Sequence, residues 1–320
     1  MEEAIKNFPR QFAYQPEIIN AEKLQRKEIF IVLGMGGSHL AADLIAGYKP
    51  DADIIVYSDY GLNFPESVLQ NALIIASSYS GNTEEVLDGL RLALEKKLPA
   101  AAIAVGGKLI EEAQKNNIPY VQLPNTGIQP RSALGFSLRA ILKIMGDEKT
   151  LAETDSLAQT LKPEDIKSSG QALANRLHGF VPIIYTSAKK ASVGYNWKIK
   201  FCENTKIPAF ANVIPELNHN EMTGFDIVSS TGALSQNFYF LFLKDRYDHP
   251  QVIKRMEVTE KLYKDRGLRV ESLELSGENH FHKIFSSLLL ADWISFFLAK
   301  SYGVDAENVP MVEEFKKLIA

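Results

Sequence analysis

The sequence predicts an α/β protein of two doubly wound halves, each a mostly parallel sheet flanked by helices. The first half alternates short apolar runs with amphipathic stretches of helical length, such as Thr83–Lys97 and Leu109–Asn117. Its predicted strands are Ile29–Leu33, Ile54–Tyr57, Leu73–Ala76, Ala101–Val105 and Tyr120–Leu123. Strands separated by helices favour a parallel sheet that is covered on both faces.

The second half repeats this alternation from about residue 167. Its predicted strands are Val181–Thr186, Phe238–Phe242 and Leu268–Leu275. The long helix predicted over Phe281–Lys300 is apolar nearly all round, which is typical of a helix buried between domains or subunits. A short amphipathic helix is predicted over Met311–Ile319.

Between the two halves lies the polar stretch Gly146–Asp165, which contains Pro163. Such a composition is typical of a linker. We therefore expect two domains, over residues 1–150 and 151–320, with a boundary that pattern alone fixes only to within several residues.

Composition narrows the class of protein. The 320 residues carry a formal charge of −4, which gives no general attraction to nucleic acid or to an anionic membrane. The single cysteine, Cys202, excludes a disulfide within the chain and fits a reducing compartment. The N-terminus lacks the apolar segment of a signal peptide, and the apolar stretch Ile284–Ala299 is shorter than the roughly 20 residues of a membrane span. We expect a soluble cytoplasmic protein.

The first candidate ligand loop, Gly34–His39, reads GMGGSH and directly follows the first predicted strand. Glycines there let the backbone approach a ligand, and the next helix offers its N-terminal amides to an anion. A dinucleotide site with Asp59 as ribose partner is one alternative, although His39 replaces the last glycine of the GxGxxG pattern and no P-loop lysine follows. A tight turn without a ligand is the other.

The second candidate loop lies within Ala76–Leu87, which reads ASSYSGNTEEVL. One helix N-cap needs one hydroxyl, but this stretch offers four in seven residues. Both loops are expected at the carboxyl end of the same sheet, which is where open α/β sheets bind ligands. Together they predict a phosphate cradle, with these binding residues: Gly36, Gly37, Ser38, Ser78, Ser80 and Thr83.

The two loops, GGS at 36–38 and SYSGNT at 78–83, resemble those of the sugar isomerase (SIS) domain. The resemblance implies that the serine- and threonine-rich loop holds the phosphate of a phosphosugar. That superfamily contains isomerases, aminosugar synthases and non-catalytic sensors, so these loops alone do not establish an enzyme.

Two stretches of the second half carry groups suited to proton transfer. Glu203 follows a predicted helix, at whose C-terminal end the dipole disfavours a negative charge and so favours proton uptake by a carboxylate. A carboxylate of that kind suits a general base that removes a proton from carbon. His219 lies in the polar cluster 215–221, PELNHNE. A solvated helix end and a surface histidine remain the alternatives for these two residues.

Together, ENTKIPAF at 203–210 and PELNHNE at 215–221 resemble motifs of the bifunctional phosphoglucose/phosphomannose isomerase family. The resemblance covers nearly the whole chain, since it also includes both phosphate loops, PRSALG at 130–135 and the tail. It implies an isomerase that interconverts glucose 6-phosphate, and mannose 6-phosphate with it, with fructose 6-phosphate through a cis-enediol, as in glycolysis and gluconeogenesis.

The resemblance also implies roles for individual residues. Glu203 would shuttle a proton between C1 and C2, and His219 would assist ring opening. Arg131 would stabilise the enediolate, a role that suits a fixed guanidinium. The family histidine comes from the neighbouring subunit, which implies a homodimer. A tail lysine near the sugar ring would be Lys316, although Lys317 is adjacent.

One position departs from the family pattern. Some members have a threonine before the proline that leads into the tail helix, where this chain has Val309. The loss of that hydroxyl makes activity on mannose 6-phosphate less secure than activity on glucose 6-phosphate. We expect no metal and no cofactor, because the histidines, among them His280 and His282, lack cysteines or paired carboxylates at ligand spacing.

Two other functions compete with the isomerase. A glutamine-dependent aminosugar-phosphate synthase needs an ammonia source, usually an N-terminal cysteine domain, whereas Cys202 lies in mid-chain. A phosphosugar sensor usually carries a DNA-binding helical domain, for which about 28 N-terminal residues and an acidic charge are poorly suited. A sensor would bind fructose 6-phosphate without consuming it.

Overall fold

The computed structural model describes residues 1–319 as two compact units. The N-terminal unit spans Lys6–Leu161, and the C-terminal unit comprises Met1–Ile5 with the chain from Lys162 onward. The predicted domain boundary after residue 150 falls within a helix, Glu148–Glu153. Most of the predicted linker 146–165 forms short helices, and the division between the units, after Leu161, lies within it.

The N-terminal unit is built around a five-stranded parallel sheet. Its strands are β1 (Ile29–Leu33), β2 (Asp53–Tyr57), β3 (Ala72–Ser77), β4 (Ala100–Ala104) and β5 (Tyr120–Gln122). Helix α1 (Glu2–Asn7) begins in the residues assigned to the C-terminal unit. The helices of the N-terminal unit are α2 (Gly37–Tyr48), α3 (Glu66–Asn71), α4 (Glu84–Glu95), α5 (Gly107–Lys115), α6 (Leu134–Met145), α7 (Glu148–Glu153) and α8 (Leu157–Thr160). All five predicted strands of the first half are present.

The C-terminal unit contains a four-stranded parallel sheet. Its strands are β6 (Val181–Ser187), β7 (Phe210–Ile214), β8 (Phe238–Lys244) and β9 (Arg269–Glu274). Its helices are α9 (Lys167–Leu177), α10 (Ala191–Lys200), α11 (Glu221–Gly224), α12 (Gly232–Ser235), α13 (Pro250–Asp265), α14 (His280–Tyr302) and α15 (Pro310–Ile319). The predicted fold of two parallel sheets flanked by helices is confirmed.

Each sheet has a point where the strand order reverses. The order in the first sheet is β2-β1-β3-β4-β5, so the chain leaves β1 in one direction and β3 in the other. The order in the second sheet is β7-β6-β8-β9, which places the reversal between β6 and β8. Open α/β sheets bind ligands outside the carboxyl ends of the strands at such a switch point.

Burial explains why β1 and β3 form the centre of the first sheet. All six residues of β3 are buried, and so are four of the five in β1. Continuous apolar runs of this kind are typical of parallel strands covered on both faces. Leu33 is paired with Ala76, so the loops that follow β1 and β3 leave the sheet at the same level.

The long apolar helix α14 is longer than its predicted apolar run. By length and composition its 23 residues could cross a membrane, so the expectation of a segment that is too short does not hold for the whole helix. However, 67% of its most apolar window is buried, and α14 packs on α9 and α10 within its own unit. Trp293 is fully buried there and donates from Nε1 to the Pro163 carbonyl at 2.7 Å.

Candidate active site

The loop between β1 and α2 leaves the sheet with its backbone folded for close approach. Gly36, the residue before α2, has a φ of +51°, a conformation that favours glycine. A Cβ on Gly37 would lie 2.6 Å from the Arg131 backbone nitrogen. Gly37 is therefore required because the segment carrying Arg131 packs directly on the start of α2.

The serine-rich loop after β3 contacts the loop after β1. The Tyr79 backbone N–H donates to Ser38 Oγ at 2.9 Å, and Ser77 Oγ donates to the Ser38 carbonyl at 3.2 Å. A hydroxyl that accepts one hydrogen bond can still donate its own proton. The structure thus brings the Ser38 loop and the serine-rich loop together at the β1/β3 switch point.

Within the serine-rich loop, hydroxyls hold the turn in shape. Ser78 Oγ lies 2.7 Å from Thr83 Oγ1 and accepts from the Gly81 N–H at 3.1 Å. Ser80 is exposed, and its Oγ accepts from the Asn82 N–H at 3.3 Å. Thr83 is the N-cap residue of α4, yet its side chain makes no capping hydrogen bond. Its hydroxyl is used on Ser78 instead, so the simple helix-cap interpretation does not account for Thr83.

A third loop, which the sequence analysis did not identify, supports the serine-rich loop. It follows β4 at Gly106-Gly107, and a Cβ on Gly81 would lie 1.7 Å from the Gly106 carbonyl oxygen. Asn82 Oδ1 also accepts from the Lys108 N–H at 3.1 Å. The signal was present as two glycines directly after a predicted strand, the same pattern that marked the loop after β1.

The segment with Arg131 is a short 3-10 turn, Pro130–Ser132, and Arg131 is buried. Gln11 fixes this turn from both ends, since its amide donates to the Ser132 carbonyl at 2.7 Å and its oxygen accepts from the Gly135 N–H at 2.9 Å. These bonds hold the turn against α2, so the backbone of Arg131 and the residues of the cradle belong to one packed assembly.

His39 forms a pair that sequence reasoning missed. Its Nδ1 lies 2.6 Å from Asp43 Oδ2, one helical turn further along α2. Residues four apart on a helix face the same side, so the spacing of His39 and Asp43 was the available signal. The contact fixes the orientation of a buried imidazole directly after Ser38.

These features make the switch point of the N-terminal unit a candidate anion site. Two helices, α2 and α4, begin at the switch point, and a helix N-terminus carries unpaired amides and a partial positive charge. The side chains gathered there include Ser38, Ser78, Ser80 and Thr83, which are neutral hydrogen-bonding groups. Such a constellation suits a phosphate group bound by backbone and hydroxyl donors.

In the C-terminal unit, Glu203 lies in an unusual part of the backbone. The helical path through α10 widens at its end into a π-helical turn, Phe201–Thr205, with Glu203 at the centre. Single π-turns at the ends of or within α-helices occur frequently at functional sites. The sequence predicted the helix and the carboxylate at its end, but it carries no signal for the wider turn.

Neighbouring residues of the same motif fix the turn. Asn204 is fully buried and donates to Ser295 Oγ on α14 at 2.8 Å. Lys206 adopts a left-handed conformation, and its Nζ donates to the Glu203 carbonyl at 2.8 Å. A cation at a helix C-terminus stabilises carbonyls that have no partner inside the helix. The motif residues around Glu203 therefore anchor its backbone.

His219 lies in the loop that follows β7. After a cis bond between Ile214 and Pro215, the chain forms a 3-10 turn, Glu216–His219, and His219 is exposed. Leu217 is fully buried in the apolar cluster of this unit. The loop is thus fixed by a buried leucine while its histidine faces outward.

The tail helix α15 carries Lys316. Pro310 is its first residue, where a proline is well tolerated because the N–H there needs no partner in the helix. Lys316 is exposed and its Nζ lies 2.8 Å from Glu313 Oε1. Lys317 is exposed as well, so the structure does not choose between the two lysines. Several apolar side chains of α15 are exposed, including Met311 at 82% and Leu318 at 79%.

The side chains of residues 1–319 form no group of three or more His, Cys, Asp or Glu that could hold a metal ion. The metal-free chemistry expected from the sequence stays a prediction.

The two parallel sheets, each flanked by helices, have the SIS-domain fold. A solved structure, tagatose-6-phosphate ketose/aldose isomerase from Escherichia coli, has the same fold, with a TM-score of 0.69 at 16% identity over 96% of this chain and 95% of that one. The family described as "Bacterial phospho-glucose isomerase C-terminal SIS domain" matches residues 166–319.

Curated relatives resemble the chain over its length. A bifunctional phosphoglucose/phosphomannose isomerase of Aquifex aeolicus is 32% identical over 98% of this chain and 96% of its own. Its counterpart in Caldicellulosiruptor bescii is 33% identical over 100% of this chain and 99% of its own. The chain belongs to the bifunctional phosphoglucose/phosphomannose isomerase family.

Proposed function

We propose that this protein is an aldose–ketose isomerase that interconverts glucose 6-phosphate, and with it mannose 6-phosphate, with fructose 6-phosphate. The observation that carries the proposal is the membership of nearly the whole chain in a family of isomerases with those two activities. The anion site of the N-terminal unit and the two motifs of the C-terminal unit are consistent with it.

The phosphate of the substrate is held by the N-terminal unit. Its donors are the backbone of Gly36 and Gly37 and the hydroxyls of Ser38, Ser80 and the Ser78–Thr83 pair. Neutral donors at helix N-termini bind a dianion without the need for a lysine or arginine from the same loops. Binding the phosphate far from C1 and C2 supplies interaction energy that orients the reacting end of the sugar.

Ring opening is the first step for a cyclic sugar. The C1 hydroxyl loses its proton, the bond between C1 and the ring oxygen O5 breaks, and O5 gains a proton. His219 is the group assigned to this transfer, since an imidazole can accept and donate a proton near neutral pH. The product is the open-chain aldehyde.

Isomerisation then moves one proton between neighbouring carbons. Glu203 takes the proton from C2, and the electron pair forms the C1–C2 double bond of a cis-enediolate. The proton returns from Glu203 to C1, while the hydroxyl proton of O2 passes to O1, which leaves a ketone at C2. Arg131 stabilises the negative charge of the intermediate through its fixed guanidinium.

The assembly and location of the protein complete the proposal. A homodimer would let His219 act in the site of the partner, and the exposed apolar side chains of α15 suit a surface that is covered in an assembly. Lys316 on that helix would lie near the sugar ring. A cytoplasmic place in glycolysis and gluconeogenesis fits a single half-buried thiol, Cys202.

The experiment that tests the proposal is product analysis with fructose 6-phosphate. Both aldose phosphates are expected, with glucose 6-phosphate formed at the higher initial rate because Val309 lacks the hydroxyl found in some relatives. Glu203→Gln should lower kcat by about 1,000-fold, in the range expected for loss of a general base. Glu257→Gln, on the exposed surface of α13, is the matched control and should keep full activity.

Three outcomes would contradict parts of the proposal. Fructose 6-phosphate that is bound but never consumed would identify a sensor. Consumption that depends on an ammonia donor would identify an aminosugar synthase. Near-normal turnover by Glu203→Gln would exclude Glu203 as the base, whatever the products are.

A further inference from the structure

The loop that carries His219 is tied to the sheet by a carboxylate two residues away. Glu221, the first residue of α11, accepts a hydrogen bond at Oε1 from the Tyr185 hydroxyl at 2.5 Å. Its other oxygen, Oε2, accepts from the side-chain amide of Asn212. Tyr185 lies on β6 and Asn212 on the neighbouring strand β7, so Glu221 joins the loop to two strands at once.

The tyrosine in this contact is a permanent donor. Tyr185 is fully buried, and burial followed by its tyrosine and glutamate neighbours raises its pKa far above the usual range. The Tyr263 hydroxyl lies 3.4 Å from that of Tyr185, and burial raises the pKa of Tyr263 to about 12. Both phenols therefore keep their protons over the working pH range. A carboxylate has no proton to offer, so it matches donors that always carry one.

A second anchor lies on the other side of His219. Asn218 donates from Nδ2 to Thr259 Oγ1 on α13 at 2.8 Å, and that hydroxyl in turn donates to the Arg255 carbonyl at 2.8 Å. The exposed histidine is therefore flanked by Asn218 before it and Glu221 after it, each bonded to the body of the C-terminal unit. A histidine whose backbone is fixed on both sides is presented from a defined position, which favours reaction.

We infer that Glu221 is a positioning residue for ring opening, because its hydrogen bonds to Tyr185 and Asn212 fix the loop from which His219 acts. The inference rests on the proposed isomerase and on the proposed role of His219. It assigns Glu221 an effect on His219 through the backbone of residues 219–221, without contact between the carboxylate and the sugar. Loss of Glu221 should therefore matter only while His219 is present.

The test is a double-mutant cycle read out on ring opening alone. The α and β forms of glucose 6-phosphate interconvert by opening and closing of the ring, so magnetisation exchange in an NMR spectrum measures that step without any C–H cleavage. Glu221→Ala should lower enzyme-catalysed exchange by about 10- to 100-fold, as expected when a reacting group is displaced by about 1 Å. In a His219→Ala background, Glu221→Ala should cause no further loss.

Tyr185→Phe is the second variant, because it removes one donor to Glu221 and leaves the core aromatic ring in place. It should reduce exchange in the same direction by a smaller factor, and it carries the test if Glu221→Ala does not fold. Asp265→Asn, which breaks an exposed contact with Lys261 at the end of α13, serves as the control and should leave exchange unchanged.

The possible failures are distinguishable. A wild-type protein without isomerase activity overturns the proposed function. An active wild type whose His219→Ala variant exchanges normally overturns the role of His219. An equal loss on Glu221→Ala in both backgrounds, or no loss in either, overturns the positioning role while the isomerase stands.

Discussion

At the switch point of the N-terminal sheet, hydroxyl groups follow β1 and β3, whereas ionised side chains follow β6 and β8 in the C-terminal sheet. Ser38 and Ser78 lie at the switch point of the N-terminal sheet. In the second, Asp245 is almost fully buried and its Oδ2 lies 2.5 Å from Lys283 Nζ and 3.2 Å from Lys190 Nζ. The two sheets have similar topology, but the side chains at their switch points are neutral in one and ionised in the other.

The difference supports the proposal that the N-terminal unit binds the phosphate. Burial alone would raise the pKa of Asp245. Hydrogen bonds from Lys283 and from the Tyr247 backbone, together with the charge of Lys190, instead hold that pKa below its usual range. Both lysines therefore lie beside an ionised carboxylate within the protein. Neutral hydroxyls and helix N-termini at the first switch point carry no such internal counter-ion, so they can serve a phosphate.

A second aspartate near the second switch point, Asp248, has a pKa that is shifted in the direction opposite to that of Asp245. Ser187 Oγ donates to Asp248 Oδ1 at 2.8 Å, yet burial raises the pKa of Asp248. Two aspartates three residues apart are thus shifted in opposite directions. The lysine contacts decide between them, because Asp245 has two close ammonium groups and Asp248 has only more distant ones.

The largest expected effect is on the ion network of the C-terminal unit. Asp245→Asn removes the shared counter-ion of Lys190 and Lys283, which are both buried. Breaking a buried ion pair by removing one partner costs about 3–5 kcal/mol, so the free energy of unfolding should fall by that order. Urea unfolding at pH 7 measures it.

The control for this variant is Asp265→Asn, which breaks an exposed contact with Lys261. Exposed pairs contribute about 0–1 kcal/mol, so this change should be close to neutral. A loss below about 1 kcal/mol for Asp245→Asn as well would contradict the view that the second switch point is a structural ion network.

The next effect concerns the shape of the phosphate site. Gly81→Ala places a Cβ 1.7 Å from the Gly106 carbonyl oxygen at a φ of +74°, so the serine-rich loop must move. We expect a loss of about 2–4 kcal/mol in stability, from strain and overpacking together, and a KM for fructose 6-phosphate raised by about 10-fold or more. Steady-state kinetics and urea unfolding measure the two quantities.

Gly127→Ala is the matched control, because its φ is +70° and a Cβ there meets no atom within 4 Å. Only the backbone conformation is then penalised, at about 1–2 kcal/mol, and KM should not change. If Gly127→Ala raised KM as much as Gly81→Ala, close packing of the loops would not be the feature that shapes the site.

A smaller effect on the free energy of unfolding is expected when the pH is lowered, because of His280. Burial, followed by the charges of Lys190 and Lys283, lowers the pKa of His280 to about 4, although Asp245 opposes the shift. The unfolded chain binds the proton more tightly, with a pKa of about 6.5. The contribution of neutral His280 to the free energy of unfolding is therefore fully present above about pH 6.5. It is lost as the pH falls from that value toward 4.

We expect the free energy of unfolding to fall by about 1–2 kcal/mol between pH 7 and pH 5, once partial solvent screening is allowed for. His280→Gln should remove that slope. Urea unfolding of both proteins at a series of pH values measures it, and an unchanged slope in the variant would show that other groups cause the loss.

The strands were the most predictable part of the fold. The buried strands β1, β3 and β8 consist largely of consecutive apolar residues, and such runs can be recognised from the sequence alone. Strand β7 was missed because its sequence, FANVI, is short, includes Asn212 and is bounded by Pro208 and Pro215. Only its pairing with β6 makes it a strand.

The short helices of the segment after α6 were not visible in the sequence, whose polar composition indicated only a linker. In the structure, Arg139 donates to the Thr154 hydroxyl at 2.8 Å and so holds the segment on the N-terminal unit. Asp147 caps α7 by accepting from the Thr150 N–H. Composition could not reveal this, because it depends on a buried arginine that precedes the segment.

Some features of the candidate site were visible in the sequence, and others depended on the packing of the fold. Residue types and spacing indicated Ser38, Ser78 and Glu203, since hydroxyls and carboxylates at strand and helix ends are visible in the sequence. The π-turn at Glu203 and the contact of Glu221 with Tyr185 were not visible, because they depend on how strands and helices pack. Chemistry is carried by residue identity, whereas positioning is carried by tertiary contacts.

The most direct test of the account separates binding from chemistry. Calorimetric titration with fructose 6-phosphate should give Glu203→Gln a Kd within about 3-fold of the wild type, because Glu203 acts on C–H bonds and not on the phosphate. The double variant Ser78→Ala/Thr83→Val should bind at least about 10-fold more weakly, since it loses two hydroxyls of the cradle. The reverse pattern, with binding lost in Glu203→Gln and kept in the double variant, would contradict a phosphate site in the N-terminal unit.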